Sequence, residues 1–306
     1  MSEPASRSLP VLVSVVVPCF NQAAFIGTAI ESALANVPAP REVIVVDDGS
    51  TDGSGEVIRN YDEVRCLRQA NAGVARARNA GLAVASGEFV VFLDGDDWLL
   101  PGGVELNLSL LRAHPECMMA AGHYQLVAPS GEPLATPQPD NPPDDAYMEL
   151  LRRTNFGIGG GCPVLFRRSL FDLIEPFAMG VEPTADYELY LRTARRFPIC
   201  VHTAPVIAYR RHPAGMSRRP EVMLIAMIAV MRSQRPFLDQ REGLRLAYHE
   251  GCAHWLDYYG SRTSRALLRD LCFGRIRSGA RRVGVLARVT PQYVETRRTL
   301  RRLRAT

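Results

Sequence analysis

The sequence predicts an α/β fold, with a doubly wound, mostly parallel sheet followed by a smaller α-helical region. Three observations predict it. Short Val- and Ile-rich runs alternate with helical patterns through roughly the first two thirds of the chain, the order that builds βαβ units. Two of these runs stop abruptly in carboxylates, at Asp47-Asp48 and at Asp94-Gly-Asp96-Asp97; in open α/β sheets, ligands collect at the carboxyl ends of strands. From Pro220 onward the pattern is helical alone. A boundary is therefore expected near residue 218, dividing the 306 residues into 1–218 and 219–306, a length that holds one large or two modest domains.

The elements follow in order. Residues 11–17 are Val-rich and end at Pro18, which reads as a buried strand; 21–35 read as a helix, with Phe20 and Asn21 at the junction. Residues 42–46 form a second strand that runs into Asp47-Asp48-Gly49-Ser50-Thr51-Asp52. Gly49 permits a tight turn there, and Ser50 or Thr51 can cap the helix that follows. A third strand is expected at 64–67, then a helix at 71–81 lined with small residues and carrying Arg76 and Arg78. The unbroken apolar run 89–93 reads as the central strand. Its three terminal carboxylates repel one another unless a divalent cation lies among them. Beyond it come a helix at 101–114, a strand at 117–127, an exposed loop at 129–143, a helix at 145–154 and a strand at 163–166, with Arg167-Arg168 heading another helix. A helix at 184–192 carries Asp186 and Glu188 in its first turn, where the dipole favours anions. After a strand at 206–209 stands Arg210-Arg211-His212-Pro213. Helices at 220–234, 239–260 and 263–273 and a weaker basic stretch complete the chain.

Composition excludes several classes. Seven scattered cysteines without a C-x-x-C pair argue for reduced thiols in a cytosol, and against a zinc site or a disulfide scaffold. No N-terminal signal precedes the first strand, and the longest apolar run is about ten residues, against roughly 20 needed to span a bilayer. Neither G-x-G-x-x-G nor a P-loop is present, and Gly159 to Gly161 follows no convincing strand, so dinucleotide oxidoreductases and P-loop kinases fit poorly. All 36 basic residues are Arg, and residues 261–306 hold thirteen of them against Asp270 and Glu295. That tail carries +11, which leaves −7 for residues 1–260 of a chain with net charge +4. Such a block meets anionic lipid headgroups or forms a solvated helix face; few aromatics interleave, which argues against nucleic acid. The expected setting is cytoplasmic, peripheral on the inner face of the cell membrane.

Six blocks resemble the inverting glycosyltransferases of family 2, which have the GT-A fold: Val15-Val-Val-Pro-Cys-Phe-Asn21, Val45-Val-Asp-Asp-Gly-Ser-Thr-Asp52, Asn71-Ala-Gly-Val-Ala-Arg-Ala-Arg-Asn79, Phe92-Leu-Asp-Gly-Asp-Asp-Trp98, Asp186-Tyr-Glu-Leu-Tyr-Leu-Arg192 and Tyr209-Arg-Arg-His-Pro213. They stand in the family's order within residues 11–217. The resemblance implies transfer of a sugar from a nucleotide donor, UDP-linked first of all, to an acceptor hydroxyl with inversion, in polysaccharide, glycolipid or other glycoconjugate biosynthesis. It implies nucleotide contacts at Pro18, Phe20, Asn21, Asp48, Arg78 and Asp96, and Mn²⁺ or Mg²⁺ held by Asp97 with His212. Asp186 would be the general base, with Arg210, Arg211 and Glu188 on the diphosphate or acceptor side. The family's Glu-Asp pair is broken here, since Ala185 precedes Asp186; Glu182 or Glu188 would substitute. A retaining GT-A transferase, a nucleotidyltransferase using an NTP, and a non-catalytic sugar-nucleotide or lipid-binding module are the alternatives. Specificity is expected in the loops 129–143 and 155–162.

Overall fold

The computed structural model describes residues 13–39, 41–138, 144–152, 164–212, 215, 218–239, 241 and 243–304. The expected loop 155–162, Gly159 to Gly161, Pro213 and the end of the loop 129–143 lie outside the described residues.

Four strands form the first half of the sheet: β1 (Val13–Cys19), β2 (Arg41–Asp47), β3 (Val64–Arg68) and β4 (Phe89–Phe92). They run parallel in the order β3-β2-β1-β4, joined by α1 (Ile26–Asn36), α2 (Ser54–Ile58) and α3 (Val74–Val84). Both faces of β1 and β4 are buried. Val13, Val15, Val17, Phe89 and Val91 enter one core, while Val16, Val90 and Phe92 enter the other. This two-sided burial is why these strands read as continuous apolar runs rather than alternating ones. On α3, a Cβ at Gly81 would collide with the Val16 side chain; only glycine lets this helix lie so close on β1.

The second half of the sheet is mixed. It comprises β5 (Trp98–Leu99), β6 (Met119–Val127), β7 (Val164–Arg167) and β8 (Ile199–Arg210). The full order is β3-β2-β1-β4-β7-β6-β8-β5, with β7 antiparallel to both β4 and β6, β8 parallel to β6, and β5 antiparallel to β8. The mostly parallel expectation therefore describes the first half better than the second. Three helices cover this half: α4 (Gly103–Ala113), α5 (Ala146–Arg152) and α6 (Ala185–Arg196). The helix expected after Arg167-Arg168 is a single 3₁₀ turn, Arg168–Asp172.

Beyond the sheet stand α7 (Pro220–Ser233), α8 (Leu244–Cys272) and α9 (Ile276–Leu303). The break expected near residue 261 is absent, because Ser261 and Ser264 return their hydroxyls to the carbonyls of Tyr258 and Gly260 and leave the helix intact. Gly274, at φ 65°, turns the chain back into α9. That helix forms where the sequence read only a weak basic stretch. Its stability is tertiary: Val285, Val289 and Leu300 are buried, and Arg282 pairs with Asp270 and Glu221. Val16, Phe92, Tyr187, Leu224, Trp255 and Val285 belong to one continuous core, so the three helices are packed into the body carrying the sheet. Among the described residues no helix is long and apolar enough to cross a membrane.

Candidate active site

The ends of β1 and β2 are laced together before any ligand is considered. After Cys19 the chain turns through Asn21, the one described non-glycine residue at positive φ, 52°. Asn21 N–H donates to Ser50 Oγ at 3.0 Å, and Asn21 Oδ1 accepts from Thr51 N at 2.8 Å. These bonds hold an Asn in the left-handed region it tolerates better than most residues. Asn21 thus shapes the loop, while Phe20 beside it leaves 46% of its surface exposed at the rim. Asp48 is 3% exposed, and both its oxygens are in use. Oδ1 accepts from Ala72 N and Gln69 Nε2, and Oδ2 from Gly73 N. These bonds fasten the start of α3 to the end of β2.

The acidic tip of β4 lies against the same loop. A Cβ at Gly95 would sit 3.1 Å from the Pro18 carbonyl oxygen, so the glycine permits the close approach. The three carboxylates then part company. Asp94 Oδ1 accepts from the buried Arg78 guanidinium at 2.6 Å, and that guanidinium lies 5.1 Å from the Phe177 ring centroid. Asp96 faces His212, with Oδ2 to Nε2 2.7 Å. Burial, and then the Asp94 charge, raise the Asp96 carboxyl above its usual range, against the pull of His212. Asp97, expected as the metal ligand, points inward at 1% exposure and accepts from Arg210 N–H at 2.7 Å through Oδ1. Burial and its two acidic neighbours push this carboxyl well above the carboxylate range. Asp97 is thus the more deeply buried of the two and Asp96 the more exposed.

Arg210 is equally committed. Its guanidinium donates to the Asp96 and Pro129 carbonyls and lies between the rings of Phe25 and Trp98, at 4.7 and 4.8 Å. It fixes the acidic turn to β8. Arg211 next to it is exposed and forms no ion pair among the described residues, so its cation remains available at the rim.

Asp186 stands in the first turn of α6. Its Oδ1 accepts from the adjacent Tyr187 N–H at 2.8 Å. Burial raises its carboxyl above the usual 3.8; the Arg78 charge pulls it back down and Asp94 pushes it up. Asp186, Arg78 and Asp94 thus share one electrostatic neighbourhood. Glu188 does not join them: Arg192 grips both its oxygens and also donates to the Pro176 carbonyl. Glu188 is thereby tied to Arg192 one turn along its own helix. Glu182 lies against the start of α3, since a Cβ on Gly73 would lie 3.5 Å from its Cγ.

Two participants escaped the sequence reading. Asp94 was legible as an acid at the strand end, yet nothing in the sequence tied it to Arg78. Tyr259 of α8 is 9% exposed and feels the charge of Asp186; no local signal marks a residue that far along the chain.

Among the described residues no group of three or more His, Cys, Asp or Glu is placed to hold a metal ion. Asp96 and His212 provide one carboxylate and one imidazole. Mg²⁺ and related ions are commonly held by one or two carboxylates together with substrate phosphates, so this donor set fits an ion arriving with a nucleotide diphosphate.

Solved structures share this architecture. S. aureus TarS 1–349 in complex with UDP superposes with a TM-score of 0.65 at 20% identity, covering 94% of this chain and 87% of that one. The mannosyltransferase PcManGT from Pyrobaculum calidifontis, in complex with GDP-Man and Mn²⁺, gives 0.55 at 19%, covering 94% and 82%. At these identities the likeness shows the fold, a GT-A-like mixed sheet with helices. The chain belongs to glycosyl transferase family 2, whose family model matches residues 14–174. An uncharacterized glycosyltransferase of Rickettsia felis is 31% identical over 218 residues, 68% of this chain and 35% of the relative. YibD of Escherichia coli, also an uncharacterized glycosyltransferase, is 42% identical over 102 residues, 32% of this chain and 30% of the relative. The chain thus spans about a third of the length of these curated relatives.

Proposed function

We propose that this protein transfers a sugar from a nucleotide-sugar donor, UDP-linked in the first instance, to an acceptor hydroxyl with inversion at the anomeric carbon. The observation that carries the reading is the convergence, at one rim of the sheet, of Asp186, Arg78 and Asp94 with the Asp96–His212 pair. Asp186 takes the acceptor proton as the new bond forms. Its raised carboxyl is a better base than an ordinary aspartate at a pH where it is still ionised, and Arg78 keeps it ionisable. Phe20 offers an exposed ring to the nucleobase, while Arg211 meets the diphosphate from the rim. Mn²⁺ or Mg²⁺ at Asp96 and His212 would neutralise charge developing on the departing diphosphate. The acceptor is a hydroxyl compound, lipid-linked in the setting we infer, the inner face of the cell membrane.

The test is single-turnover transfer with the anomeric configuration of product and donor compared by proton NMR. An inverted product formed by the wild type and lost in Asp186→Asn supports the reading. A retained configuration, or release of pyrophosphate from a nucleoside triphosphate, favours one of the other two enzyme classes.

A further inference from the structure

The outer surface of the α8–α9 hairpin is unlike the rest of the molecule. At its tip Leu268, Leu271, Phe273 and Ile276 are 62, 63, 71 and 81% exposed. The apolar exposure continues along α9, where Ile276, Val283 and Val294 share one face with the exposed Ala280 and Ala287. These positions recur at intervals of three, four and seven residues, which puts them on a single outward stripe. The opposite stripe, with Val285, Val289 and Leu300, is the one buried against the body. Beside the outward stripe stand Arg277, Arg281, Arg288 and Arg302, with Arg275 at the turn. All are exposed, and none has an ion-pair partner among the described residues. An exposed apolar stripe flanked by cations is the pattern of a helix that lies in a membrane interface.

The geometry points to α9 and the hairpin tip as a docking surface for an anionic lipid bilayer. The stripe enters the headgroup boundary and the arginines meet lipid phosphates. Charge decides against a second copy of this chain, because the same face opposed to itself would set arginine against arginine. The surface also fixes a height. With α9 on the bilayer, α8 packs on α9 and the site stands beyond α8, on the side of Tyr259. Two helix layers at about 8–10 Å each put Asp186 on the order of 20 Å from the headgroups. Coupled to the proposed sugar transfer, this selects a lipid-anchored acceptor whose reacting hydroxyl projects that far.

The test is co-sedimentation of the full chain with vesicles of phosphatidylcholine alone and of phosphatidylcholine with phosphatidylglycerol. The expected result is binding to the anionic vesicles only, released by salt. The pair Phe273→Ser with Ile276→Ser should weaken it at least about tenfold, and Arg277→Gln with Arg281→Gln should flatten its salt dependence. All four positions are exposed, and an unchanged melting temperature would verify folding. Absence of binding to the anionic vesicles, or equal binding by both variants, overturns the proposal. So does a wild-type oligomer in light scattering that the Phe273→Ser and Ile276→Ser pair dissolves, which would assign the surface to a second copy. No donor is present in this assay, so its failure is separate from any failure of the transferase reading.

Discussion

Asp96 and Asp97 are adjacent in the chain and differ in exposure because the turn after β4 leaves the first partly open to solvent and sends the second inward. Inward, Asp97 accepts from the Arg210 amide and has a second oxygen, Oδ2, without a hydrogen-bond partner among the described residues. A carboxyl raised by burial binds its proton more tightly folded than unfolded, so it contributes stability at low pH that is lost as pH rises through the raised value. Asp97→Asn should therefore melt no lower than the wild type at neutral pH, since the amide oxygen still accepts from Arg210. Asp97→Ala should lose about 1–3 kcal/mol through the orphaned amide, as read by denaturant unfolding. Asp186 has the same sign of shift and a different consequence. A base works only when deprotonated, so the acidic limb of kcat/KM should lie above the ordinary aspartate range and vanish with Asp186→Asn, whose rate should fall about 10²–10⁴-fold while UDP affinity is kept. Calorimetry of UDP on the variant, beside the pH profile, checks both. Of this detail the sequence revealed the acids and their order. It did not reveal which oxygen faces which way, because that depends on Arg210 arriving from β8, 113 residues later.

At the scale of elements, what was legible followed from local pattern. The β1, β2 and β4 runs and the acidic loops after β2 and β4 were found because two-sided burial leaves unbroken Val, Ile and Phe. The two-residue β5 and the early start of β8 were not, because their first residues are short or half exposed and carry no period. The length of α8 and the existence of α9 were missed for a related reason: packing and ion pairs hold them more than helix propensity does. Trp255 shows what α8 contributes. It is 6% exposed and packs edge-to-face on Tyr187, at 6.0 Å, one residue from Asp186. Trp255→Ala should cost about 3–5 kcal/mol in denaturant unfolding. It should also lower kcat more than it changes donor affinity, because α6 carries the proposed base whereas the loops proposed to hold the nucleotide follow β1 and β2. A variant with full stability would show that α8 does not brace α6.

Across the molecule, the parallel half of the sheet supplies the loops proposed to bind the nucleotide, the mixed half brings Arg210, Arg211 and His212 to the same rim, and the helices brace Asp186 from behind. On the proposed reading, Asp96 with His212 meets a diphosphate-bound ion, while Asp97 holds the turn to β8. The most direct test is calorimetric titration of UDP, GDP and CDP, with and without Mn²⁺, into the wild type, Asp96→Ala and Asp97→Asn. The account predicts that one nucleotide binds, that Mn²⁺ tightens it by at least about tenfold, and that Asp96→Ala abolishes this gain while Asp97→Asn keeps it. Failure of all three nucleotides to bind, or loss of the metal effect in Asp97→Asn with its survival in Asp96→Ala, would contradict it.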